Sequence, residues 1–225
     1  GAAPVAADTQ LGIQGLVLSG RHLQPGHDVS GSGGGALLEL NERWPGAQLH
    51  LEGIPVIDAA QPTSSSFGSP RQKIGLFNGT LRFPLDGHGR VWAGFGLGVI
   101  AQRTTYSDYS EEVDESRLIG TRYDLFARLP LSKRHFVEAN FADMPFMTGT
   151  VHAFSLRFRG SFSQKETAAE TDASAAFGWS GGAMEFLAGL RSINYSANYV
   201  YGRPADRNVG FGPTLEARYG FGRVR

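Results

Sequence analysis

The chain has 225 residues, no cysteine, and 21 basic residues balanced by 21 acidic ones. That length suits one β-barrel or sandwich, or two small domains, and the balanced charge without a basic block argues against a nucleic-acid partner. The missing cysteines exclude disulfides, thiolate metal sites and Cys nucleophiles. The longest nearly unbroken apolar run, Val91 to Ala101, falls well short of the roughly 20 residues of a membrane-spanning helix. With 31 Gly and 15 Phe, the composition favours close strand contacts and aromatic surfaces over helices.

In chain order, residues 1–10, "GAAPVAADTQ", are expected to be the flexible lead of a mature, exported chain. From residue 11 onward, side chains alternate in character with a period of two, the signature of strands with two unlike faces. The opening run from Leu11 to Leu23 alternates least cleanly, and "QPGHDVSGSGGG" (24–35) reads as a long loop. Ala36, Leu38 and Leu40 then oppose Leu37, Glu39 and Asn41, and the turn signal "RWPG" (43–46) leads to Ala47, Leu49 and Leu51 against Gln48, His50 and Glu52. After a loop at 58–72, Phe77, Leu81 and Phe83 oppose Asn78, Thr80 and Arg82, and "DGHG" (86–89) marks a second tight turn.

From Val91 to Gln102 the bulky register holds Phe95 and Leu97 while glycines line the other face. The acidic stretch 106–116 reads as a loop. From Ile119 to Leu129, Tyr123 and Leu125 oppose Arg122, Asp124 and Arg128. Residues 129–150 break the scheme: Val137, Ala139 and Phe141 could form a strand, but counting it alone puts the later loops on the wrong side. A strand is read from His152 to Phe162, with Phe154 and Phe158 opposing Arg157 and Arg159, followed by a loop at 164–172. Phe177 and Trp179 precede the turn "SGG" (180–182), Met184, Phe186, Ala188 and Leu190 oppose Glu185 and Arg191, and 198–208 reads as a loop. The last strand, Val209 to Gly222, sets Phe211, Leu215 and Tyr219 against Gly212, Glu216 and Arg218.

Long and short connections largely alternate, as in membrane barrels with tight periplasmic turns and longer outer loops. With the closing "GPTLEARYGFG", the pattern resembles small bacterial outer-membrane β-barrel proteins over nearly the whole chain. The chain departs from their usual terminal aromatic by continuing past Phe221 to "GRVR". The resemblance implies an all-β, closed, antiparallel, up-and-down transmembrane barrel of about ten strands, range eight to twelve. It covers residues 11–222, with 223–225 as a tail, and places the protein in the outer membrane.

The rival is a soluble ligand-binding barrel with its apolar face inward. The polar registers argue against it, because they carry Gly, Ser, Arg and acids rather than the Lys, Glu and Thr of a solvent face. So does the crowding of Phe on one side, which overfills a small interior. Phe95, Leu97, Tyr123, Leu125, Phe154, Phe158, Phe211, Leu215 and Tyr219 are therefore expected to face lipid. Arg122, Asp124, Arg128, Arg157, Arg159, Glu185, Arg191, Glu216 and Arg218 are expected to form an ion-pair network in a narrow lumen. Arginines outnumber acids in that set, so any residual leak is expected to favour anions.

No His pair has metal-ligand spacing with a carboxylate on the same face, and His152 and Ser155 face opposite ways on a strand, so neither a metal nor a catalytic group is expected. An omptin-like protease would need paired acidic and histidine residues at the ends of facing strands, which the sequence does not display. The functional expectation is a structural or interaction role, without cofactor, with outer-membrane lipid around it and envelope proteins as partners through external loops. The alternatives are a small porin-like channel, an outer-membrane hydrolase and a soluble ligand-binding barrel.

Overall fold

A computed structural model describes residues 9–24, 27–60, 70–106, 112–155, 160–199 and 206–221. They form ten antiparallel strands: β1 (Thr9–Gln24), β2 (His27–Trp44), β3 (Ala47–Ala60), β4 (Pro70–Pro84), β5 (Val91–Tyr106), β6 (Glu112–Pro130), β7 (His135–Ser155), β8 (Gly160–Gly181), β9 (Met184–Tyr199) and β10 (Asp206–Phe221). Each strand pairs with its sequence neighbours, and β1 closes on β10 with Thr9 opposite Phe221, so the sheet is a closed barrel without an edge. Thr9 and Gln10 belong to β1, which starts inside the segment expected to be a lead.

One end of the barrel carries the tight connections 45–46, 85–90, 131–134 and 182–183, together with Thr9 and Phe221. Gly46 and Gly182 sit there at φ 79° and 66°, a left-handed conformation that costs a residue with a Cβ roughly 1–2 kcal/mol. The turn signals at 43–46, 86–89 and 180–182 fall at these connections. At the opposite end several predicted loops are strand instead. Most of 24–35 lies in β2, whose pairing with β1 runs down to His27, and 164–172 lies wholly inside β8. Conversely, the strand expected from 152 to 162 is divided between two: β7 ends at Ser155 and β8 begins at Gly160, with 156–159 outside the described residues.

The strands run from 14 to 22 residues, longer than the roughly 9–11 that cross hydrocarbon. The surplus lies away from the tight turns. On β6, Leu129, Leu125, Tyr123 and Ile119 face outward, and the series then gives way to exposed Arg117; on β5, Phe95, Leu97 and Val99 give way to Arg103. Arg103 pairs with Glu115 on β6 at 3.6 Å, a surface ion pair suited to water beyond the apolar belt.

Two bulges offset the pairing, and each contains a proline. β3 carries one extra residue against both neighbours between Ile54 and Ile57, and β7 carries one between Met144 and Met147. Pro55 and Pro145 lack the N–H a regular ladder requires, so the chain bulges where they fall. In β7 the bulge resets the alternation. Phe136, Glu138, Ala142 and Met144 point inward, Phe146 is 85% exposed, and Met147 points inward again. This offset, with the turn at 131–134, explains why residues 129–150 break the period-two reading: they close β6, turn, and enter one strand in two phases.

Candidate functional site

The candidate site is the lumen, built from the inward residue of every strand. Its lower part, toward the tight turns, holds an ion-pair network. Arg128 bridges Glu138 at 2.9 Å and Glu185 at 2.6 Å, and stacks on Phe136 at 3.7 Å. Arg218 contacts Glu138 at 2.7 Å, Glu216 at 2.5 Å and Glu39 at 3.5 Å. Arg191 reaches Glu52 at 2.7 Å, bonds Asp172 through Nε at 3.0 Å with a second bond from Nη2, and donates to Gln14 at 3.3 Å. Arg82 holds Asp124 at 2.8 Å, and Arg122 lies 3.5 Å from Asp172 and 3.8 Å from Glu170. Guanidinium forks suit this role because one planar group presents several donors to carboxylates on different strands.

The glycine register makes room for these side chains. A Cβ at Gly94 would lie 2.2 Å from the Asp124 carboxylate, and one at Gly98 would lie 2.2 Å from Met144 Sδ. β5 therefore lies against the filling of the barrel itself.

Above the network the lumen is mainly apolar, with the buried Glu166 accepting a hydrogen bond from the Tyr195 hydroxyl at 3.1 Å. Leu16, Leu18, Leu37, Ile54, Leu76, Ile100, Leu118, Met144, Met147, Ala168 and Tyr195 form one buried cluster. Burial of such side chains contributes roughly 1.5–3 kcal/mol each. The expectation of a lumen filled by charge is thus incomplete, since polar and apolar layers are stacked along the axis. Leu37 and Leu118 carried the signal. They interrupt polar registers that continue through Glu39 and Arg122.

Of the residues expected in the network, Arg122, Asp124, Arg128, Glu185, Arg191, Glu216 and Arg218 meet in the lumen. Arg157 and Arg159 lie outside the described residues. The network also contains Arg82, Glu39, Glu52, Glu138, Glu170 and Asp172, which sequence reasoning left out. Glu166, Glu170 and Asp172 share one parity in the segment taken for a loop, and that period of two was the available signal. Their inclusion reverses the charge balance. Among the described residues the buried set holds nine carboxylates, Glu39, Glu52, Asp124, Glu138, Glu166, Glu170, Asp172, Glu185 and Glu216, against four arginines, Arg82, Arg122, Arg191 and Arg218.

The exterior carries the opposite chemistry. Phe95, Leu97, Tyr123, Leu125, Phe211, Leu215 and Tyr219 are all outward and between 45% and 70% exposed. Phe158 lies outside the described residues, as does the side chain of Phe154. Trp179 stacks with Phe186, and Tyr219 packs edge-on to Phe221 near the turn end, an aromatic girdle at the level where such rings favour a bilayer interface. Among the described residues no cluster of three His, Asp or Glu could hold a metal. His50 is buried in the lumen with Nδ1 2.9 Å from Asn41 Oδ1.

A closed ten-stranded barrel with an apolar, aromatic-edged exterior and a lumen packed with ion pairs and an apolar cluster has the fold of a bacterial outer-membrane β-barrel. Solved structures agree on that fold. The outer-membrane protease OmpT from Escherichia coli is similar with a TM-score of 0.61 at 10% identity, over 96% of this chain and 98% of that one. The translocator domain of the autotransporter NalP from Neisseria meningitidis is similar with a TM-score of 0.53 at 11% identity, over 97% of this chain and 90% of that one. No family model and no curated protein matches the chain. At these identities the likeness is one of fold, and the activity named for either protein belongs to that protein.

Proposed function

We propose that the protein is a non-conducting outer-membrane barrel with a structural or interaction role, a rigid anchor whose strand ends engage envelope partners. Tight turns are characteristic of the periplasmic side, so the longer strand ends extend outward from the cell. The observation that carries this reading is the double filling of the lumen. Arg122 and Ala142 are fully buried in the barrel, and Leu37, Ile54, Ile100 and Leu118 are each no more than 2% exposed. A water-filled pore needs a continuous wet path, and a close-packed, mainly apolar layer interrupts it.

Single-channel recording in planar bilayers tests the reading. The native protein is expected to stay silent, and large stable openings would promote the porin-like alternative. A variant with the apolar layer cut back, Met144→Ala with Met147→Ala, is expected to pass a small leak. Because carboxylates outnumber arginines among the described buried residues of the lumen, the reversal potential of that leak should show cation preference.

A further inference from the structure

At the turn end the lumen opens into a cavity of about 460 Å³. Its lining is strongly one-signed, with Arg43, Arg90, Arg128, Lys133 and Arg134 facing a single carboxylate, Glu185. That carboxylate is already engaged by Arg128 at 2.6 Å and by Gln10 at 3.0 Å. Among the described residues, none of the other four cations has a carboxylate within ion-pairing distance. Arg43 is half-buried at the rim of the lumen with its guanidinium 5.3 Å from the centre of the Trp92 ring. A ring contact holds the group in place while leaving its N–H donors for other acceptors.

The floor of the cavity supplies a second observation. Gln48 is 5% exposed, and its Nε2 donates to Asn41 Oδ1 at 3.1 Å, while its Oε1 is buried without a donor. The orientation of this amide follows from its surroundings. Asn41 Nδ2 donates to Glu39, which leaves Asn41 Oδ1 as the acceptor for Gln48. The cavity therefore combines cations that lack a carboxylate partner among the described residues with a lining side chain, Gln48, whose buried Oε1 has no donor.

We propose that this vestibule binds a small phosphate ester bearing a free hydroxyl, with the oxyanion among Arg43, Lys133 and Arg134 and the hydroxyl donating to Gln48 Oε1. Phosphate fits better than carboxylate because it carries more charge and more acceptor oxygens for several separated donors. The same chemistry could arrive on a soluble ester or on the phosphoglycerol headgroup of a lipid. The site is independent of whether the barrel conducts.

Calorimetric titration of the folded protein in phosphatidylcholine nanodiscs, using glycerol 1-phosphate and inorganic phosphate as probes, tests the proposal. Both should bind saturably, with glycerol 1-phosphate tighter. Arg43→Gln should weaken both by about tenfold, the scale of one charge-assisted hydrogen bond. Gln48→Leu should erase the advantage of glycerol 1-phosphate and leave inorganic phosphate unchanged. Each variant is checked for barrel formation by its migration on a denaturing gel before and after boiling. Repeating the titration in phosphatidylglycerol nanodiscs separates the sources: unchanged binding assigns the site to a soluble ester, and loss of binding by competition assigns it to the headgroup. No saturable heat from either probe, or equal affinities in native protein and Arg43→Gln, would overturn the site. Equal affinities of the native protein for the two probes would overturn the hydroxyl assignment.

Discussion

Arg191 ties together side chains that are far apart in sequence. From β9 it contacts Glu52 on β3, Asp172 on β8 and Gln14 on β1, spanning the lumen with one guanidinium. Arg191→Met would leave two buried carboxylates without that partner, and removing one side of a buried pair costs about 3–5 kcal/mol. Urea unfolding in lipid vesicles is expected to show a loss of that size, with Arg191→Lys recovering only part because an ammonium cannot reproduce the fork. A group outside the bilayer offers a pH signature. In the 85–90 turn the Asp86 carboxylate accepts the Val91 amide at 3.0 Å and the Arg90 amide at 2.7 Å, and these bonds hold its carboxyl below the usual aspartate range. The folded pKa is lowered, so this contribution is present above the unfolded pKa and lost as pH falls through the folded value. Amide NMR shifts of Arg90 and Val91 should titrate with a midpoint below that of an unperturbed aspartate, and Asp86→Asn should abolish the transition.

At the scale of strands, the register depends on the two bulges. Deleting Phe141, in the regular stretch of β7 before its bulge, would turn the inward side chains between the deletion and the bulge outward, since a slip of one residue exchanges the faces of a strand. Ala142 and Met144 would meet lipid and Asp143 the lumen. The deletion variant is expected to migrate identically before and after boiling on a denaturing gel, the mark of a barrel that has not closed; native-like migration would contradict the assigned register. The same bulge shows how much was legible in the sequence. β5, β6 and β10 could be read directly because each alternates bulk with glycine or charge through the belt. β7 could not, because Pro145 and Phe146 shift its phase halfway along. The upper parts of β2 and β8 were hidden for another reason. Beyond the apolar belt no lipid demands one hydrophobic face, so glycine-rich 27–35 and polar 164–172 lack the contrast that identifies a strand. In the lumen, the arginines stood out in recognised strands, whereas Glu170 and Asp172 were missed with the strand that carries them, and the charge balance was misread with them.

For the whole molecule, polarity is inverted: apolar residues lie outside, ion pairs and a buried apolar cluster inside. A soluble barrel would have the reverse. The lack of native cysteine among the 225 residues makes single-cysteine labelling clean. The most direct measurement places a nitroxide label at Leu97→Cys, Leu125→Cys and Leu215→Cys on the exterior, and at Asn78→Cys in the lumen, with the protein reconstituted in bilayers. Collision with oxygen, which concentrates in hydrocarbon, is compared with collision with a water-soluble nickel chelate. The three exterior positions should favour oxygen strongly, and the Asn78 position should be shielded from the chelate. Ready access of the nickel chelate to the three exterior labels would contradict a membrane-spanning barrel.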